Sequence, residues 1–138
     1  MSSTRIFVSH SHVDNDFCLK LVEGLTAAGA DVWYDEHDLG AVELTRTIMA
    51  ELRQRPIFLL VLSPEALLSQ WVENESLWAF TLYQRDRERS RVILPVLARD
   101  VRPEDLWLFL SEFKRIEGET AARCRGRRPL PGRWRCSR

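Results

Sequence analysis

No stretch of this 138-residue chain comes near the roughly 20 consecutive apolar residues that span a bilayer. The opening Met1-Ser2-Ser3-Thr4-Arg5 leads straight into a short apolar segment rather than a signal-peptide core. A cytoplasmic protein with no membrane partner is therefore expected. Cysteine is scarce: Cys18, Cys124 and Cys136 are odd in number and lack metal-ligand spacing, which suits a reducing cytosol and argues against a metal site. Net charge is missing as well, with 20 basic residues against 20 acidic, but the balance is uneven. Residues 120–138 carry seven arginines and no acid, leaving 13 basic and 20 acidic groups over residues 1–119. An acidic body argues against nucleic acid as the main ligand.

What is present is material for one core. At 45% hydrophobic residues, a chain of this length makes one domain and buries an interior of useful size. Apolar strand and helix patterns alternate from residue 5 to about 116. Arg5-Ile6-Phe7-Val8-Ser9 reads as a buried strand. Asp14 is placed to cap a helix carrying Phe17, Cys18, Leu21 and Leu25 at helical spacing, and Gly29 stands where a helix-terminating glycine belongs. Asp31–Asp35 reads as the second strand. A polar loop follows, and then a helix with Leu44, Ile48, Met49 and Leu52 that Pro56 stops. Ile57–Leu62 is continuously apolar, as a strand covered on both faces should be, and Ser63-Pro64 ends it. A helix from about Gln70 to Arg85, a solvated charged run to Arg91 and a strand over Val92–Leu97 come next. Pro103 opens a short helix through Leu106 and Leu110, and Phe113–Ile116 makes a fifth strand.

Strands alternating with helices imply a parallel sheet covered by helices. The expected fold is α/β: a flavodoxin-like three-layer domain over residues 1–119, with a five-stranded parallel sheet of order 2-1-3-4-5 and helices on both faces. Residues 120–138, rich in arginine, glycine and proline with Trp134 as the one large apolar anchor, read as a disordered extension.

In such sheets ligands bind beyond the carboxyl ends of the strands, where the strand order reverses. Here that crevice lies between the first and third strands, where Ser9–Val13 meets Ser63–Glu75; Ser63 is a candidate contact on this ground. On the helix over Gln70–Arg85, Trp71, Glu75 and Trp78 fall at i, i+4 and i+7 and share one face, whereas Glu73 lies well around from Glu75. A carboxylate between two tryptophans has two uses: a partly desolvated functional group with a raised pKa, or a boundary residue with its head in water and its stem on the aromatics. His10 and His12 alternate within a loop and, even with His37, make no metal-ligand pattern. Cys18 reads as a small buried hydrophobe, Trp33 as core or crevice wall, and Ser9 and Ser11 lack the partners of a serine nucleophile.

Over residues 5–116 the chain resembles the TIR (Toll/interleukin-1 receptor homology) domains, bacterial ones in particular. The resemblance rests on Ile6-Phe7-Val8-Ser9-His10-Ser11, then Asp31-Val32-Trp33-Tyr34-Asp35 with Leu39-Gly40. It continues through Leu60-Val61-Leu62-Ser63-Pro64, Ser69-Gln70-Trp71-Val72 with Glu75, and Ile93-Leu94-Pro95-Val96, all in order. Enzymatic TIR domains cleave the nicotinamide–ribose bond of NAD, giving nicotinamide and linear or cyclic ADP-ribose. The resemblance implies NAD as substrate with no cofactor, Glu75 as the catalytic residue and Trp71 as its aromatic neighbour. It also implies that Ser9, His10, Ser11 and His12 line the nucleotide site, that Asp35 and the loop through Gly40 cover it, and that copies associate through TIR–TIR contacts. A role in bacterial defence or signalling goes with it.

Two features depart from the family pattern. Gly40-Ala41-Val42-Glu43-Leu44 replaces the usual glycine-acidic pair, and the arginine-rich tail stands where another amphipathic helix is expected. The alternative is a non-catalytic TIR interaction module, which the same fold serves equally well. A phosphoacceptor receiver domain is excluded because Leu62-Ser63-Pro64 has no aspartate at the end of the third strand. The Ser69–Glu75 motif fits TIR better than a nucleoside deoxyribosyltransferase.

Overall fold

The computed structural model describes residues 4–34, 41–113 and 116–117. Asp35, the loop through Gly40 and the arginine-rich tail lie outside the described residues. Strand β1 (Arg5–Ser9) leads through a 3-10 turn at His12–Asp14 into helix α1 (Asn15–Ala27). Strand β2 (Asp31–Tyr34), helix α2 (Ala41–Gln54) and strand β3 (Ile57–Leu62) follow. Next come helices α3 (Pro64–Leu68) and α4 (Gln70–Arg85), strand β4 (Val92–Leu97) and strand β5 (Ile116–Glu117). All four strand pairings are parallel, and the sheet order is β2-β1-β3-β4-β5, the expected flavodoxin-like order.

The alternation of side chains along a strand divides the interior into two clusters, one on each face of the sheet. Phe7, Phe58, Leu60, Leu62, Ile93 and Leu97 point to the face covered by α2, α3 and α4, where Ile48, Leu52, Ala66, Val72 and Ala79 meet them. Ile6, Val8, Leu59, Val61 and Val96 point the other way, onto Phe17, Cys18, Leu21, Val22 and Leu25 of α1. Both faces of β1 and β3 are therefore dry, which explains their unbroken apolar runs. Trp33 joins the first cluster, its ring 4.8 Å from that of Phe7.

Local chemistry sets most boundaries. Helix α1 ends in a Schellman arrangement: Gly29, at φ 96°, donates to Thr26 O (3.0 Å) while Ala30 donates to Leu25 O (3.0 Å). The C-terminal carbonyls of α2 are capped from a distance. Arg91 donates to Leu52 O (3.0 Å), Arg53 O (2.7 Å) and Arg55 O (3.3 Å). The charged run before β4 is thus not simply solvated: its last residue is a structural cation at the negative end of a helix. Asp86 accepts from the Arg91 backbone N–H (2.8 Å), and that bond is the main cause of its lowered pKa.

Three expectations fail, all at short elements. Helix α3 arises where a bare strand end was expected, because Ser63 caps it through the Ala66 N–H (3.1 Å) and Pro64 opens its first turn. The helix expected after Pro103 is instead two separate 3-10 turns, Pro103–Asp105 and Leu108–Glu112. Strand β5 begins at Ile116 rather than Phe113. Phe113 donates its N–H to Leu110 O (3.0 Å) and turns its ring onto Phe80 and Tyr83, so side-chain packing takes it out of the ladder. Among the described residues strand β5 pairs with Val96 and Leu97, and Pro95, which has no N–H to give, sits just outside that pairing.

Candidate functional site

The carboxyl ends of β1 and β3 bring the sequence-selected residues together. Helix α4 is launched by Ser69, whose hydroxyl accepts from the Val72 N–H (3.3 Å), and its sixth side chain runs down to the end of β1. There Glu75, only 1% exposed, accepts a hydrogen bond from Ser9 Oγ at 3.1 Å. The two residues are equally buried. This burial rules out a boundary glutamate with its head in water. Trp71 and Trp78, one turn to either side, are half-buried and pack against the cluster beneath α4, so the stripe read from the sequence is real. Glu73 is half-buried on another face of the helix.

The segment after β1 is tied down twice. His10, buried, and His12, exposed, converge on Asn15 at the start of α1: His10 Nε2 donates to Asn15 Oδ1 (2.7 Å), and Asn15 Nδ2 donates to His12 Nδ1 (3.5 Å). The His10 ring also lies 6.4 Å from that of Tyr34 at the end of β2. Ser11 Oγ donates to Asp14 Oδ2 (3.2 Å), and Ser63 Oγ donates to the same oxygen in a short bond.

Asp14 has a use that its expected N-cap position did not reveal. It occupies the N-cap position of α1 but makes no side-chain capping bond there. Its carboxylate, 5% exposed with the rest of the residue, turns into the crevice instead. Its second oxygen is held by Arg99 Nη2 at 3.1 Å. Arg99 follows β4 by two residues and also grips Glu65 of α3, with Nη1 donating to Oε1 at 2.9 Å and Nη2 to Oε2 in a short bond. Glu65, and after it Asp14, raise the pKa of Arg99. The backbone N–H of Glu65 itself and then Arg99 lower the pKa of Glu65. Arg99 stands just beyond the carboxyl end of β4, the strand beside β3 in the sheet, and that position is the sequence signal that could have found it.

Ser63, a candidate contact for a ligand, is fully buried, with its hydroxyl spent on Asp14 and on the cap of α3. Ser9 is likewise spent on Glu75. Asp35 lies outside the described residues. Among the described residues no group of three or more His, Cys, Asp or Glu side chains is gathered to hold a metal ion, and no helix is long and apolar enough to cross a membrane. A small depression bordered by Arg55, Pro56, Tyr83 and Arg91 lies at the opposite end of the strands and includes none of these residues.

Comparison with known proteins gives a consistent result. A family model described as a TIR domain matches residues 6–124. A curated protein named NAD(+) hydrolase PdTIR, from Paracoccus denitrificans, is 37% identical over 93 residues, covering 66% of this chain and 30% of that protein. The chain therefore spans under a third of the length of this relative. Among solved structures, the TIR domain of the Toll-related receptor TRR-2 from Hydra magnipapillata superposes with a TM-score of 0.66 at 16% identity, covering 81% of this chain and 82% of that one. A metazoan TIR-STING receptor from C. gigas gives 0.58 at 24% identity over 75% of this chain and 33% of that one. These likenesses carry the fold.

Proposed function

This chain belongs to the TIR domain family, and we propose that it is an NAD-cleaving member, breaking the nicotinamide–ribose bond to release nicotinamide and ADP-ribose in linear or cyclic form. The observation that carries the reading is the buried Glu75 carboxylate, hydrogen-bonded to Ser9 at the sheet's switch point. The named activity of the Paracoccus relative supports it.

The chemistry asks little more of the protein than a fixed negative charge. Nicotinamide in NAD is a cationic leaving group that departs neutral, so no acid is required to protonate it. The ribosyl centre passes through an oxocarbenium-like transition state, as in glycoside hydrolysis. Glu75 opposes that developing cation, and in a site shielded from water a prepositioned carboxylate acts far more strongly than it would in solvent. Ser9 donates to one carboxylate oxygen and thereby sets the direction of the other. Trp71 offers an apolar face for the nicotinamide ring. His10, Ser11, His12 and Asp35 complete the nucleotide side of the site in this reading, and Ser63 supports it from behind. Because Glu75 is almost fully covered in this conformation, NAD reaches it only after the surrounding segments shift. Association of two copies through TIR–TIR contacts is the proposed source of that shift, with a cytoplasmic role in bacterial defence or signalling.

One observation favours a second reading: a glutamate buried and bonded inside the fold also serves as a purely structural contact in a TIR interaction module. NAD consumption with product identification, at high protein concentration and beside Glu75→Gln, separates the two. The variant keeps the acceptor for Ser9 and loses the charge, so nicotinamide release falls about a hundredfold or more while the fold survives. Turnover at the wild-type rate in Glu75→Gln would sink the enzymatic reading. No release at any concentration from a folded wild-type chain would favour the interaction module.

A further inference from the structure

We infer that Asp14 and Arg99 form a positioning pair that clamps the exit of β1 to the exits of β3 and β4, and so holds Ser9, and through it Glu75, in place. The inference rests on the proposed NAD-cleaving role of Glu75 for its catalytic consequence; the clamp itself stands on geometry.

A buried carboxylate is costly unless every lone pair is used. Asp14 meets that demand with donors from three different parts of the chain: Ser11 beyond β1, Ser63 beyond β3, and Arg99 beyond β4. The ordinary duty of an acidic residue at this position, capping α1, is left undone. Arg99 is held on both sides. Its backbone, with that of Ala98, donates to Leu62 O at 3.4 and 2.9 Å, while Glu65 grips the far side of its guanidinium. Its side chain is 46% exposed against 4% for Asp14, so the cation closes the network from the solvent side. The segment it closes over begins with Ser9, the residue that donates to Glu75. Removing Arg99 leaves a buried carboxylate with two hydroxyl donors and no counter-charge. The strand exits then lose their common anchor while both apolar clusters remain intact.

Arg99→Ala and Arg99→Lys in the full 138-residue chain test this with two readouts. The first is amide hydrogen exchange in peptides covering residues 9–14, with β3 as internal control. The second is kcat and KM for nicotinamide release, with Glu75→Gln alongside. Arg99→Ala is expected to speed exchange in residues 9–14 by about tenfold without affecting β3. It should lower kcat by about tenfold, leave KM within about twofold, and be partly rescued in Arg99→Lys. Unchanged exchange in residues 9–14 overturns the clamp. Faster exchange with an unchanged kcat, where Glu75→Gln is dead, overturns its role in positioning Glu75. If the wild-type chain releases no nicotinamide, the catalytic reading fails separately and the exchange result alone decides the clamp.

Discussion

Ser9 and Glu75 stand 66 residues apart in the chain and meet at 3.1 Å, both shut away from solvent. A hydroxyl that donates to a buried carboxylate fixes where its negative charge is held, and that is the property a cation-stabilising group requires. Ser9→Ala removes the donor and changes almost nothing in volume. Nicotinamide release is expected to lose about tenfold to a hundredfold in kcat with KM within about twofold, since a hydrogen bond to a charged group is worth about 1.5–3 kcal/mol. A kcat equal to wild type would show that Ser9 does not position Glu75.

Cys18 lies on the core side of α1, and its thiol is pushed up to about 12 from the usual 9.0, by burial first and by the charge of Asp14 second. Since the folded pKa lies above the unfolded one, this group's contribution to stability is complete below pH 9.0 and is lost as pH rises from there towards 12. Iodoacetamide at pH 8, followed by mass mapping of the Cys18 peptide, should leave the native chain unlabelled there and label the unfolded chain. Above pH 9 the melting temperature should fall more steeply in wild type than in Cys18→Ala. Rapid labelling of native Cys18 would contradict the buried placement.

Arg91 binds three carbonyls at the end of α2, at the opposite end of the sheet from Glu75. Arg91→Ala should cost about 1–2 kcal/mol of stability, seen as a lower midpoint in urea, because it leaves the negative end of a helix without its cation. Catalytic constants should not change. A fall in kcat together with unaltered stability would reverse this assignment.

Gly29 closes α1 at φ 96°, and a Cβ built there meets no atom within 4 Å. The cost of Gly29→Ala is therefore conformational alone, about 1–2 kcal/mol by the penalty on an L-residue in left-handed backbone. Chemical denaturation of the variant measures it directly, and unchanged stability would mean that the turn relaxes to negative φ.

Much of the fold was legible because it is written in local chemistry. The unbroken apolar runs of β1 and β3, the period of 3.6 in α1 and α4, and the stop at Gly29 each depend on neighbours a few residues away. The stripe of Trp71, Glu75 and Trp78 was legible for the same reason. Helix α3, the 3-10 turns and the bounds of the two-residue β5 were not. Elements of two to five residues carry too little periodicity to be read alone, and contacts such as Phe113 against Phe80 decide them.

The sequence by itself determined an α/β domain of five strands, the order of its elements, and Glu75 as the carboxylate to examine. Only the tertiary structure decided what the polar residues at the strand ends do. It turned Asp14 from helix cap to anchor, spent Ser63 on that anchor, joined Ser9 to Glu75 and brought Arg99 across 85 residues to Asp14. The physical reason is range. Backbone conformation and apolar periodicity are set within a turn or a strand, whereas a buried carboxylate takes its donors from whichever segments the sheet order places beside it.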